Sequence, residues 1–351
     1  MTSRDSLHVP VREDWLALRR EEILEPGRPI VDPHHHLWDR PGARYLFPEL
    51  LADMNAGHDV RATVYVQCRS MYRASGPEEL RPVGEVEFVN GIAAQAASGI
   101  YGERYACAGI VGFADLTLGE RVVPVLEALE RAGGGRLRGV RHPVVWHADE
   151  RVRSSPAQPP PGLMADARFR AGVAELAAHG LSLDVWAYHT QLDEVLDLAR
   201  AHPRTVLVLD HLGGPVGVGP HADKRDEVRA VWKAGLARLA ELPNVRLKLG
   251  GLGMRVGGFT FHEQELPPSS AELAEAWRPY VETGIELFGP ERCMFESNFP
   301  VDKGMFGYAA LWNAFKLLAA GCSEAEKHEL FLGTAARVYR LQEALLAGSN
   351  V

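Results

Sequence analysis

The sequence predicts a single α/β domain, a (β/α)₈ or TIM barrel. Three observations predict it. Short β-branched runs alternate with helical stretches rich in Ala, Leu, Glu and Arg. Eight such runs follow one another in an uninterrupted chain, and the first lacks the Gly-x-Gly-x-x-Gly turn that usually accompanies an open nucleotide-binding sheet. Strands alternating with helices form a parallel sheet, because a parallel neighbour is reached only through a crossover. Eight consecutive units close most simply into a barrel. A chain of 351 residues suits one such barrel with long loops.

Along the chain, residues 11–26 carry Trp15, Leu16, Leu18 and Ile23 among charges and end at Pro26-Gly27, the pattern of a surface helix. Residues 1–28 therefore read as an N-terminal helical extension and 29–345 as the barrel. The eight strands are expected over 30–34, 62–67, 107–113, 137–141, 181–187, 205–210, 245–249 and 293–296. Helices between them include 122–132, 169–178, 192–201 and 228–239. Residues 154–162 (SSPAQPPPG) follow the fourth strand, and prolines 159–161 favour a stiff, extended loop. The loops over 69–82, 213–225 and 250–270 are long as well. In a barrel all four gather at the C-terminal face, where active sites are built.

Composition narrows the partners. A net charge of −8, with no block of Lys or Arg, argues against a nucleic-acid surface. No stretch approaches the roughly 18 apolar residues of a membrane span, and the first residues hold no apolar signal core. Cys68, Cys107, Cys293 and Cys322 are far apart, which fits free thiols in a reducing compartment. A cytoplasmic protein acting on a small molecule is expected. Barrels of this type often pair as homodimers, although no patch in this sequence can be assigned to that.

The sharpest chemical signal is the run Val31-Asp32-Pro33-His34-His35-His36-Leu37-Trp38. Side chains alternate across a strand, so Asp32, His34 and His36 are expected on one face and His35 on the other. Two imidazoles one strand-step apart can hold one metal ion. The alternative is a His-rich turn that binds nothing; its place at the end of the first barrel strand favours a site. Trp38, just beyond, is a candidate for substrate packing. A second apolar strand runs into Asp210-His211-Leu212-Gly213-Gly214, which brings His211 to the same mouth, with Asp210 expected to orient a histidine or cap a loop.

At the last strand Glu296 and Asn298 share a face by period two. They either converge on the histidines or form a buried polar pair that holds the rim. Arg141 and His142 end the fourth strand with a cation and an imidazole suited to a carboxylate or an oxyanion. Tyr188 and His189 end the fifth, suited to substrate packing and proton transfer. For each of these four a purely structural role is the alternative. His179, His202 and His328 fall in helical segments, and His147 and His262 in loops of the catalytic face.

Together, the V-D-P-H-H-H-L-W opening, the G-V-R-H-P strand, the L-D-H-L-G-G strand and the final S-N-F-P-V segment resemble the amidohydrolase-related branch of the amidohydrolase superfamily. That branch includes sugar-lactone and dicarboxylate-lactone hydrolases and zinc-dependent decarboxylases. The resemblance spans residues 29–339. It implies that His34, His36 and His211 are the metal-site histidines, and that Arg141 holds an anionic or carbonyl group. One position departs from the pattern. Relatives typically place an Asp, as general base or metal ligand, where this chain has Asn298.

A carboxamide offers a neutral oxygen and cannot act as a base near pH 7, so base work would fall to Glu296, Asp302, His189 or one of the site histidines. The leading expectation is hydrolysis of a lactone or similar cyclic ester. Its water would be activated by one divalent ion, zinc or manganese, or directly by an imidazole without metal. The alternatives are a metal-dependent decarboxylase, and a barrel that binds or tailors a metabolite without hydrolysis.

Overall fold

A computed structural model describes residues 7–343. Ten strands follow in chain order: β1 (Pro29–His35), β2 (Trp38–Arg40), β3 (Ala43–Tyr45), β4 (Asp59–Val66), β5 (Tyr105–Gly112), β6 (Leu137–Val140), β7 (Ser182–Val185), β8 (Leu207–Leu209), β9 (Val245–Leu249) and β10 (Cys293–Phe295). β2 and β3 form a small antiparallel hairpin. The other eight pair in parallel in the order β1-β4-β5-β6-β7-β8-β9-β10. The ring closes just past β10, where the His36 N–H donates to the Phe299 carbonyl (2.8 Å) and the Asn298 N–H to the His34 carbonyl (2.9 Å). The eight expected runs are these eight strands. Helices at Val123–Gly133, Ala167–Leu176, Leu192–Ala201 and Arg225–Ala240 fall on the expected stretches.

The helix expected over 11–26 is instead a single turn, Glu13–Leu16. Trp15 is buried and its Nε1 donates to the Gln264 carbonyl at 3.1 Å. Further on, the Leu24 N–H donates to Asn313 Oδ1 (2.9 Å), and Lys316 Nζ donates to the Leu24 and Glu25 carbonyls (2.8 and 2.9 Å). Backbone groups already satisfied by barrel side chains need no helix to pair them. Residues 1–6 of the expected extension, and 344–345 of the expected barrel, lie outside the described residues.

Alternation along the strands sorts the core into layers. Ile30, Val60, Leu183, Leu209 and Leu247 face the surrounding helices. Val31, Ala62, Val64, Val208 and Met294 fill the interior and are met by Leu332, Tyr339 and Leu341. A third cluster, including Trp38, Val145, Trp186, Met254 and Val301, rims the mouth. No described helix is long and apolar enough to cross a membrane.

β1 corrects one expectation. Asp32 follows Ile30 outward and accepts from the Tyr308 hydroxyl and the Ser297 N–H, both at 3.0 Å. An irregularity in register between Asp32 and His35 then turns His34 inward. Asp32 and His34 therefore do not share a face, whereas His35 does point away, to Thr63 Oγ1 at 2.8 Å.

Candidate active site

Glu296 lies fully buried beneath the barrel mouth and joins two histidines. Its Oε2 is 2.7 Å from His34 Nδ1 and its Oε1 is 2.7 Å from His211 Nδ1, while the His211 N–H also donates to Oε1 at 3.1 Å. Burial alone would raise this carboxyl, but the facing His211 and His34 rings hold it well below the usual carboxylate range. His211 donates its Nδ1 proton to Glu296 and turns Nε2 away from it, whereas His34 Nδ1 is met by both Glu296 Oε2 and the Lys248 Nζ, the latter at 3.2 Å. His34 Nε2 accepts from Arg141 Nη1 at 3.3 Å. Burial first, and Lys248 second, push His34 toward its neutral form.

Local sequence makes this arrangement possible. His211 and Leu212 both adopt the left-handed region, with φ of 54° and 56°, so the chain turns sharply where β8 ends. A Cβ at Gly251 would overlap the His211 ring, and Gly251 has φ +70°. Glycine is required there on both counts. Trp186 meets the same ring edge to face at 4.8 Å.

Under the histidines sits a charge cluster in the barrel interior. Lys248 is fully buried, with Nζ 2.8 Å from Asp184 Oδ2 and 3.1 Å from Asp210 Oδ1. Burial disfavours its charge, but Asp184 and Asp210 more than restore it, so Lys248 stays an ammonium. Asp210 stays ionised for the same reason. Tyr339 closes the cluster from below, donating to Asp184 Oδ2 at 2.7 Å.

The expected site residues separate into three groups. His36, Trp38, Arg141, His211 and Asn298 line a cavity of about 90 Å³ at the mouth. His34 and Glu296 stand behind its wall. The remaining three turn elsewhere. The His142 ring packs between Phe113 and Phe169, and its Nδ1 accepts from the Leu116 N–H at 3.2 Å. The Tyr188 hydroxyl donates to the Val152 carbonyl and meets Ser154 Oγ, both at 2.7 Å, which fixes the loop after β6. His189 Nδ1 accepts from the Val216 N–H (3.3 Å), and its ring faces His221 rather than the cavity.

His34, Asp210 and His211 each bring one ligand atom within 4.8 Å of the others. Asp210 joins two of the expected histidines in this set, and the third, His36, has its Nδ1 bonded to the Val66 carbonyl at 2.7 Å, an anchoring that leaves Nε2 available as a ligand. The set suits a divalent cation. Glu296 anchors both rings by Nδ1, as outer-sphere carboxylates do for ligand histidines, and neither Asp210 oxygen makes a directed hydrogen bond. Lys248 at 3.1 Å and Arg141 at 3.6 Å already share that carboxylate, which would weaken the hold on a metal.

Sequence reasoning missed Asp184, Lys248, Arg40 and Arg69. Lys248 carried a signal, a cation between Leu247 and Leu249 in a strand. Arg40 ends the short hairpin strand β2 and Arg69 lies in the loop past β4, and neither gave one.

Known proteins match this architecture. An uncharacterised protein of Sinorhizobium fredii is 32% identical over 334 residues, covering 89% of this chain and 98% of its own length. An L-fucono-1,5-lactonase of Burkholderia multivorans is 30% identical over 332 residues, covering 89% and 96%. Among solved structures, an amidohydrolase of Burkholderia multivorans with bound zinc superposes with a TM-score of 0.68 at 27% identity, covering 89% of this chain and 99% of that one. The sequence model of the amidohydrolases matches residues 31–341, and with the barrel and its histidine mouth in place, the chain belongs to the amidohydrolase family and is a hydrolase of that type.

Proposed function

We propose that this hydrolase opens a lactone or a similar cyclic ester. The observation that carries the reading is the Glu296 carboxylate gripping His211 at 2.7 Å, while His211 opens onto a cavity that Arg141 and Asn298 also wall. The lactonase named among the relatives supports it.

Glu296 fixes the His211 tautomer and leaves Nε2 free to take a proton from an attacking water. The water oxygen bonds to the lactone carbonyl carbon, and Arg141 stabilises the oxyanion that forms. The ring C–O bond then breaks, and His211 returns the proton to the departing alkoxide. The products are a hydroxy acid and the resting imidazole. If a divalent ion were held by His34, Asp210 and His211, it would supply polarisation of a bound oxygen, and His211 Nε2 would then serve as its ligand in place of taking the proton. Asn298 contributes no base; its Nδ2 donates to Asp302 Oδ1 at 2.8 Å.

The test is a pH-stat screen of aldono- and dicarboxylate lactones, with and without added zinc or manganese. Acid release is expected, and His211→Ala should lower kcat by about 10²–10⁴-fold. Elemental analysis of wild type and His34→Ala settles whether an ion is carried. No turnover of any lactone under any metal condition sinks the reading, and release of CO₂ from hydroxylated aromatic acids would replace it with decarboxylation.

A further inference from the structure

We infer that the lactone carries a second, free carboxylate, and that Arg69, assisted by Arg40, is the specificity site that receives it. This deepens the lactone reading above and rests on it. The chain has a net charge of −8, yet the wall of the reaction cavity holds Arg40, Arg69 and Arg141 and, among the described residues, no Asp or Glu. Arg141 is committed close to the histidines: it donates to the Gln67 carbonyl and to His34 Nε2, and lies 3.6 Å from Asp210. One guanidinium there answers the one carboxylate that ring opening creates. Two more remain.

Arg40 is fixed in place. Its guanidinium stacks on Trp38 at 4.2 Å and donates to the Cys68 carbonyl at 3.0 Å. Arg69 is exposed and makes no hydrogen bond or ion pair with the described residues, so its donors are open to a ligand. Its backbone is held in the left-handed region, φ 65°, a conformation that persists in a non-glycine residue only when its surroundings impose it.

The device that imposes it is Glu85. This carboxylate is fully buried, and its Oε1 accepts from the N–H groups on either side, Cys68 at 2.9 Å and Ser70 at 2.8 Å, and from the Tyr65 hydroxyl at 2.8 Å. The lactone chemistry does not use Glu85. Clamping residues 68 and 70 presents the side chain between them to the cavity.

The positive field is bounded. Arg69, Pro143 and Ala157 also border a second cavity of about 640 Å³, whose walls add three carboxylates, Glu78, Glu79 and Asp115, against one further cation, Arg81. An anionic group is favoured at Arg69 and disfavoured beyond it. The ligand class is therefore the lactone of a hydroxy-dicarboxylic acid, one carboxyl esterified at the histidines and one free at Arg69. A bidentate guanidinium–carboxylate pair supplies both the affinity and the direction.

The experiment uses a matched pair of six-carbon 1,4-lactones, one aldonic and uncharged, one aldaric with a free carboxylate. Wild type should favour the aldaric lactone by about tenfold or more in kcat/KM, mainly through KM. Arg69→Met should collapse that ratio toward one, and Arg69→Lys should restore part of it, since charge returns without the fork. Equal or better use of the aldonic lactone by wild type, or an unchanged ratio in Arg69→Met, overturns the inference. If neither lactone is opened, the lactone reading fails separately. Calorimetric titration with the open aldarate and aldonate then decides: tighter aldarate binding that Arg69→Met abolishes upholds the anion site, and equal binding removes it.

Discussion

The carboxamide of Asn298 donates to Asp302 Oδ1 at 2.8 Å, and the Gly253 N–H donates to Asp302 Oδ2 at the same distance. Burial pushes the Asp302 carboxyl up to about 7, against the pull of His211 and these two donors. A carboxylate thus stands four residues on from Asn298, set behind the cavity wall and bonded to its carboxamide. Asn298→Asp would set two carboxylates against each other, and such a pair keeps one proton between them. A carboxyl with a raised pKa stabilises the fold at low pH and loses that contribution as pH rises through the folded value. Asn298→Asp should therefore unfold near its wild-type Tm at pH 5 and well below it at pH 8. The exchange Asn298→Asp with Asp302→Asn, which restores one charge and one amide, should recover most of the loss; an equal deficit in both variants at pH 8 would contradict this pairing. At Gly251 the constraint is steric. Gly251→Ala has no room beside the His211 ring, so kcat should fall by about 10²-fold for a small displacement while circular dichroism stays that of the folded barrel.

At the scale of elements, β9 carries a conflict that the barrel resolves. Lys248 points into an interior otherwise lined by Val31, Val64, Val208 and Met294, which is tolerable because Asp184 of β7 and Asp210 after β8 arrive at 2.8 and 3.1 Å. Lys248→Met removes one partner and strands two buried carboxylates, at a cost of about 3–5 kcal/mol, read as a lower urea midpoint. Lys248→Met with Asp184→Asn should be less unstable than Lys248→Met alone, since one stranded charge is gone. The same element explains what was legible beforehand. Eight strands and four of the long helices could be placed because their apolar periods are clean, and His34, His36, His211 and Asn298 could be placed at strand ends. Two kinds of feature could not. The irregularity between Asp32 and His35 depends on pairing with β4 and on contacts past β10, which no local pattern encodes. Residues 11–26 have a helical pattern, yet their backbone is satisfied by Asn313 and Lys316 nearly three hundred residues away.

For the whole molecule, the fold keeps an unusual number of imidazoles neutral. Burial lowers His8 to about 4, His35 to about 3, His58 to about 4 and His189 to about 4; burial also carries His34 and His36 well below the ordinary range. An unfolded histidine titrates near 6.5. Between about pH 6.5 and 4 the unfolded chain takes up protons that these folded rings refuse, so stability falls as pH falls. Asp32, raised to about 6 chiefly by burial, and Asp302, raised to about 7, act with the opposite sign over part of that window, because the folded state holds protons the unfolded state has lost. Burial also lowers His142, His202, His221 and His262 and raises Asp53, Glu85, Asp184 and Glu194, so that ten rings stand against six carboxyls. Each net proton is worth about 1.4 kcal/mol per pH unit. Tm measured from pH 7.5 to pH 5 should therefore drop by several degrees, and calorimetry in buffers of different ionisation enthalpy should show net proton uptake on unfolding at pH 5.5. His58→Gln and His189→Gln, each removing one ring from the tally, should shallow the slope. A Tm that holds constant or rises toward pH 5 would mean that the rings open to solvent and titrate in the folded protein, and that Glu296 and the barrel wall do not seal them as their burial implies.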